Sequence, residues 1–379
     1  MKCIFLKLTD YVPYHLTTYN LNKIKKSILI LAISFGYSQW TQSEGTEGLD
    51  MQAVISYNNF DFAGGATGTY RSSDQAFSFQ TSNNGNDSNG PSRAYTYDEL
   101  YIYVGTSQGV FRSDNNGDSW IPKSNGLTSG LTHALIKVNS RLFHTGPFGV
   151  SMSNNLGENW TAAGLSGYDV RCITNIEDTL FVGTIGDGLF KSTDWGENWS
   201  PINNGSISSN FRAIQSKGNI LFAGGQNGTG VFRSTNFGNN WELLTNGISS
   251  AAYRGFAIKD QLIVAGSTGA GVFYSIDNGD NWTVINDGLT DLTVFDLELN
   301  ENYIIAATHN QGVFRYELSN LITLLQGDVN GDGIVNVLDI LMAVNLILSN
   351  EYNNNADINS DSFINVLDII SIVNIILGE

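Results

Sequence analysis

The sequence predicts an all-β chain closed into a seven-bladed β-propeller, with a small α-helical tail behind it. Three observations carry that prediction. An eight-residue phrase, SIDNGDNW at 275–282, recurs as STNFGNNW (234–241), STDWGENW (192–199), SNNLGENW (153–160) and SDNNGDSW (113–120). Successive copies start about 40 residues apart, and a fixed period of that size marks stacked supersecondary units. Each copy follows a short apolar strand such as GVFYS or GLFKS, and its final Trp belongs to a longer, evenly spaced aromatic series.

In chain order, Lys23, Lys25 and Lys26 precede the apolar run SILILAISF (27–35), which is too short to span a bilayer. Gly36 and Ser38 give a small-x-small cleavage site before Gln39. Residues 1–38 therefore read as a secretory signal peptide with an upstream extension, and the protein as secreted, extracellular or at the cell surface. No further stretch reads as a membrane span. Cys3 falls in the leader, so the mature chain keeps only Cys172 and has no internal disulfide. Cys172 lies in an apolar strand (VRCI), where a buried, inert thiol is expected. The formal net charge of −17 argues against nucleic acid or an anionic membrane surface as partner.

The propeller is expected over 39–320. One period before Ser113 stands a worn copy, GTYRSSDQAFSF (68–79), with Ser72, Asp74, Ala76 for Gly and Phe79 for Trp. One period after Ser275 stands GVFRYEL (312–318), a strand with no phrase behind it. The missing outer strand lies at the other end, because QWTQSEGTEGL (39–49) matches NWTVINDGL (281–289). The aromatic series is then Trp40, Phe79, Trp120, Trp160, Trp199, Trp241 and Trp282. Trp40 opens the outer strand of the last blade, so the N-terminus latches the ring and removes exposed sheet edges. Runs such as LFVGT, ILFAGG and YIIAAT read as strands buried on both faces. The strands before them (RCITNI, RAIQSK, VFDLEL) should line the central channel. NGL, NGI and DGL end the outer strands.

The phrase makes sense as a hairpin turn. Asp or Asn tolerates left-handed backbone and accepts nearby N–H groups, Gly takes positive φ without a clash, and Ser caps the turn. Trp then wedges between neighbouring blades. This skeleton resembles the Asp-box (bacterial neuraminidase) repeat of propellers such as sialidases, sortilin-type receptors, xyloglucanases and photosystem assembly factors. The resemblance implies that the box is structural and lies away from the functional face.

That face should carry short, glycine-rich loops (TSQG, TGPFG, TIGDG, GQNGTG, GSTGAG, THNQG), which make a shallow surface rather than a deep cleft. Arg171, Arg212 and Arg254 recur near the start of three successive inner strands, Arg254 less cleanly aligned. An echo of the repeat explains them; the alternative is an anion-binding channel mouth, since guanidinium pairs bidentately with carboxylates. The sialidase Arg-Ile-Pro signature is not found. Asp169, Asp187 and Asp296 are the acidic candidates, without a paired partner that stands out from the repeat. His133, His144 and His309 stand singly, without metal-ligand spacing. No catalytic residue is assigned.

After a short linker (321–326), DVNGDGIVNVLD (328–339) has the ligand spacing of a calcium loop. Asp328, Asn330 and Asp332 supply side-chain oxygens at positions one, three and five, Ile334 its carbonyl at seven, Asn336 a water-mediated contact at nine and Asp339 the closing carboxylate at twelve. DINSDSFINVLD (357–368) repeats this with Asp357, Asn359, Asp361, Phe363, Asn365 and Asp368, with Ser362 in place of the glycine at position six. Two Ca²⁺ ions are expected, coupled to folding of the tail. Each loop is followed by one apolar helix (337–348 and 366–377). The two loop–helix units over 327–379 resemble a type I dockerin domain. The resemblance implies docking to a cohesin-like module, with Val337, Leu338, Val366 and Leu367 contributing to partner choice. Cellulosomal dockerins often have Ser or Thr there. A unit this small cannot bury two helices that are apolar nearly all round, so a cohesin or the chain's own propeller must cover them.

Together these features imply a non-catalytic binding protein whose propeller face holds a glycan or protein and whose tail docks. The alternative is a polysaccharide-acting hydrolase or lyase delivered by its dockerin. An acidic pair facing across the channel would favour the alternative.

Overall fold

The computed structural model describes residues 39–86, 90–205, 208–322, 326–330, 335–353, 355–359 and 361–377. The leader expected over 1–38 lies outside them, as do Asp332 and Ile334. The described strands, numbered β1 to β28 in chain order, form seven four-stranded antiparallel sheets. Six blades are contiguous in sequence. The seventh joins β26 (Val294–Leu299), β27 (Tyr303–Thr308) and β28 (Val313–Glu317) to β1 (Thr41–Gln42), with Thr41 opposite Arg315 and Gln42 opposite Phe314. The ring is thus closed by the first described strand, as the aromatic series predicts.

Each repeated phrase folds into the same turn for the same reason. The Ser Oγ donates to the Asp or Asn Oδ1 at 2.7–3.0 Å in all six copies, the worn one included. The same Oγ accepts the N–H at the glycine position, at 2.8–3.0 Å. The Asp or Asn does not itself take left-handed backbone. The strained residue is the next one, Asn116, Leu156, Trp195, Phe237 or Asn278, at φ of 53° to 62°. Leu, Trp and Phe are costly there, so the side-chain bonds hold the turn rather than the turn residues' own preference. In the worn copy Ala76 also sits at φ 57°.

The aromatic series latches blade to blade. The indole N–H of Trp120, Trp160 and Trp241 donates to a carbonyl of the preceding blade at 2.7–2.8 Å. Trp282 instead donates to Gly279 O within its own turn. The backbone N–H of Trp40 donates to Asp287 O, and that of Phe79 to Glu44 O, across the two junctions on either side of the closing blade. The glycine ending each outer strand is needed for this approach. A Cβ on Gly45, Gly85, Gly126, Gly205, Gly247 or Gly288 would lie 2.0–2.3 Å from the next aromatic residue's carbonyl oxygen. Middle strands are buried along both faces, and apolar clusters fill the blade junctions. Cys172 is buried there as a free thiol, pushed up to about 12 by burial.

Among the described residues three helices follow the ring: α1 (Ser319–Ile322), α2 (Val337–Ser349) and α3 (Val366–Leu377). Asn336 caps α2 in a capping box with Asp339. The small core of this part is Val329, Ala343, Ala356 and Ile372, with partly buried aliphatic neighbours.

Candidate functional site: an arginine-lined channel mouth and an acidic tail

The innermost strands are β2 (Met51–Tyr57), β6 (Ser92–Tyr97), β10 (Ala134–Val138), β14 (Val170–Ile176), β18 (Phe211–Lys217), β22 (Ala252–Lys259) and β26. In six of them the register slips by one residue, at the second position in five and at the third in β22. Such a bulge leaves one residue unpaired and re-aims its side chain. The bulged residues are Gln52, Arg93, Arg171, Arg212, Arg254 and Phe295. His133, whose N–H donates to Thr145 O, holds the corresponding place before β10. All seven line one cavity of about 370 Å³ at the start of the channel. Arg254 is therefore equivalent to the other arginines.

The sequence reading missed Arg93, the fourth guanidinium. The signal was present: SRAYTY, VRCITNI, FRAIQSK and YRGFAIK share an arginine followed by a small residue. Arg171 alone of the four forms an ion pair among the described residues, Nη2 lying 2.5 Å from Asp169 Oδ2. Its Nε and that of Arg93 are buried without a hydrogen-bond partner. Burial, then the neighbouring guanidinium, lowers Arg93, Arg212 and Arg254, the last to about 10. Arg254 also lies 3.7 Å over the ring of Phe295 from the next blade. His133 Nδ1 faces Val170 O at 3.0 Å and Asp169 Oδ1 at 3.3 Å. Burial, then Arg171, pushes its pKa down, so it adds no charge at neutral pH. A chain with a net charge of −17 thus concentrates positive charge at one channel mouth.

Deeper in the channel are Asp296 and Glu298, two apart on β26 and so on one face of one strand. Asp296 accepts the N–H of Val54 and of Leu297, both at 3.0 Å, which stitches the last blade to the first. Burial raises it to about 7; burial and then the charge of Asp296 raise Glu298 to about 8. Asp187 is exposed on its loop, and His144 is buried against Trp160, both apart from the cavity lining.

In the tail, the position-twelve carboxylates turn back onto their loops. Asp339 accepts the N–H of Val329, Asn330 and Asn336 at 2.8–3.0 Å. Asp368 accepts those of Ile358, Asn359 and Asn365 at 2.9–3.3 Å. Asp357 accepts from Asp361 and Ser362, and Asn359 from Asp361. Asn336 and Asn365, assigned to position nine, instead accept Leu338 N–H and Leu367 N–H, the demand of a helix N-terminus. Ser362 stands at φ 69°, the conformation that favours glycine at position six. Phe363 turns its ring to solvent, leaving its carbonyl as the useful group.

No three acidic or histidine groups among the described residues converge as a ready metal site. The donor chemistry still fits a hard cation. Asp328, Asp339, Asp357 and Asp368 are at most 3% exposed, and no Lys or Arg occurs between 316 and 379 to balance them. Val337, Leu338, Val366 and Leu367 are all exposed, as are Leu341, Leu348 and Ile370 beside them.

Residues 326–377 match the type I dockerin domain family. No curated protein matches the chain. Among solved structures, YCF48 from Cyanidioschyzon merolae superposes with a TM-score of 0.62 at 11% identity, over 74% of this chain and 100% of that one. A structure described as YCF48 bound to D1 peptide gives 0.60 at 12%, over 75% and 96%. The GH74 xyloglucanase from Xanthomonas campestris gives 0.60 at 14%, over 74% of this chain but only 54% of that enzyme. Likeness at this level of identity shows the fold alone. Fold, loop spacing and family match together make residues 326–377 a type I dockerin domain carried behind a seven-bladed β-propeller.

Proposed function

We propose that this is a secreted, non-catalytic binding protein. Its propeller (39–320) holds an anionic group of a glycan or protein ligand at the channel mouth. Its tail (327–379), folded around two calcium ions, docks the whole onto a cohesin-like partner. The observation that carries the ligand class is the convergence of Arg93, Arg171, Arg212 and Arg254 with one carboxylate, Asp169, in ion-pair contact. Partly buried guanidinium groups, three of the four without an ion-pair partner among the described residues, favour a carboxylate-bearing ligand. The exposed Val337–Leu338 and Val366–Leu367 pairs support the docking role, with the loops' oxygen donors holding the ions.

The test is calorimetric titration of the mature protein with oligogalacturonate and with a glutamate-rich peptide, beside neutral xyloglucan oligosaccharide. An acidic probe should bind, and Arg212→Gln should weaken it at least about tenfold, as expected for a lost charge-assisted pair. The second reading is a polysaccharide hydrolase using Asp296 and Glu298, which burial keeps protonated near neutral pH. It predicts reducing-sugar release from xyloglucan, lost in Glu298→Gln. Release without acidic-probe binding would replace the first reading by the second.

A further inference from the structure

The far end of the channel carries a second hollow of different chemistry. The turns joining each inner strand to its neighbour are two residues long in most blades, as at Asn58–Asn59. In blades two and seven they lengthen to 98–101 and 300–302. These two longer turns stand on either side of the blade-one turn and enclose a hollow of about 760 Å³. Its apolar wall is Tyr57 and Tyr97, ring centroids 5.2 Å apart, with Tyr97 47% exposed. Asp61, Asp98, Glu99, Glu298 and Glu301 line it against one cation, Lys259, whose Nζ donates to Asn300 O.

We infer that this hollow is a binding site for an extended peptide segment, which it takes by a lysine or arginine side chain. The physical case has three parts. Carboxylates outnumber cations around it, so a positive charge gains and a carboxylate loses. The exposed face of Tyr97, backed by the buried Tyr57 ring, stacks on the aliphatic stem and attracts the charged head. The hollow exceeds the volume of one side chain, leaving room for flanking backbone. Its position also suits a protein partner. Asn302 O, on its wall, accepts the N–H of Leu318, where the chain leaves the ring toward the docking tail. This site opens at the other end of the inner strands from the arginine mouth and shares only Glu298 and Leu299 with that cavity's lining.

The test uses the full mature chain with saturating calcium and the probe peptide acetyl-Gly-Lys-Gly-Lys-Gly-amide. Its counterpart has norleucine for lysine, keeping the stem and removing the charge. The lysine peptide should bind, and the norleucine peptide about tenfold more weakly or not at all. Tyr97→Ala and the double variant Glu99→Gln/Glu301→Gln should each weaken the lysine peptide about tenfold, while Arg212→Gln leaves it unchanged. These side chains are exposed, so unaltered melting temperatures certify the fold. Because burial holds Glu298 protonated to about 8, cation binding at neutral pH should release protons, and the heat should vary with the buffer's ionisation enthalpy. Equal binding of both peptides overturns the inference. So does failure of the lysine peptide to bind, or a neutral xylo-oligosaccharide that binds through Tyr97 in its place.

Discussion

The ring and the tail solve the burial problem in opposite ways. The ring hides its apolar strands between blades and repeats one latch, an aromatic residue seated on the glycine of the preceding blade. The tail turns much of its apolar surface outward and buries carboxylates that no nearby lysine or arginine balances. The ring is satisfied by its own sequence. In the function proposed above, the tail is completed by things outside it, an ion and a partner. The same contrast separates structural from functional residues. The Ser-Asp-Gly-Trp phrase bonds only to itself and its neighbours, whereas Arg93 and Arg171 of the channel mouth each keep a buried Nε without a partner.

The largest test of this contrast is calcium removal. A chelator should abolish the helical circular-dichroism signal of the tail while the propeller's melting transition stays in place. Helix retained without calcium would erase the distinction. Within the ring, Trp40→Ala should cost about 3–5 kcal/mol in urea denaturation, because it opens the closing blade and leaves a cavity. A smaller loss is expected from Gly247→Ala, about 3 kcal/mol, since its Cβ would meet Trp282 O at 2.0 Å. Gly48→Ala has the same sign of φ, 72°, but nothing within 4 Å, and should cost only about 1 kcal/mol. Equal costs at the two glycines would show that the latch is not what demands glycine.

Acid should weaken the ring through His144. Both its ring nitrogens are buried without a partner, and burial, then His133, pushes its pKa down to about 4. The unfolded chain takes up the proton first, near pH 6.5, so the stability contributed by neutral His144 falls as pH drops from there toward 4, by about 1 kcal/mol per unit, opposite in sign to the contribution of the raised Asp296 and Glu298. His144→Leu should flatten that slope in denaturation series at pH 7 and pH 5. The smallest effect is in the tail. Ser362→Gly should relieve the left-handed strain at φ 69° and tighten calcium in the second loop by about 1 kcal/mol, roughly fivefold. Competition with a chelating dye measures it.

Much of the fold was legible because its signals are local and repeated. Seven aromatic residues at constant spacing exposed the circular closure through Trp40 before any tertiary contact was known. The calcium-loop spacing placed the tail for the same reason: ligand positions in a twelve-residue loop are a local matter. The candidate site was harder. Arg171, Arg212 and Arg254 are visible in the sequence but look like an echo of the repeat, and Arg93 is set apart from them by the blade that carries His133. The bulge inserts one unpaired residue that periodicity averages away, and its side chain acquires meaning only when seven strand starts meet around an axis.

By itself, then, the sequence determined the blade count, the turn that ends each third strand, the glycine that follows each outer strand and the loop–helix pair of the tail. These are written in residues within one period of each other, so short-range sterics and hydrogen bonding suffice. Tertiary structure alone decided that Arg93 joins the other three arginines, that Asp296 stitches blade seven to blade one, and that two lengthened turns far apart in sequence enclose one acidic, aromatic hollow. Those outcomes depend on ring closure, which brings residues more than two hundred positions apart within hydrogen-bond distance, as it does Val54 and Asp296.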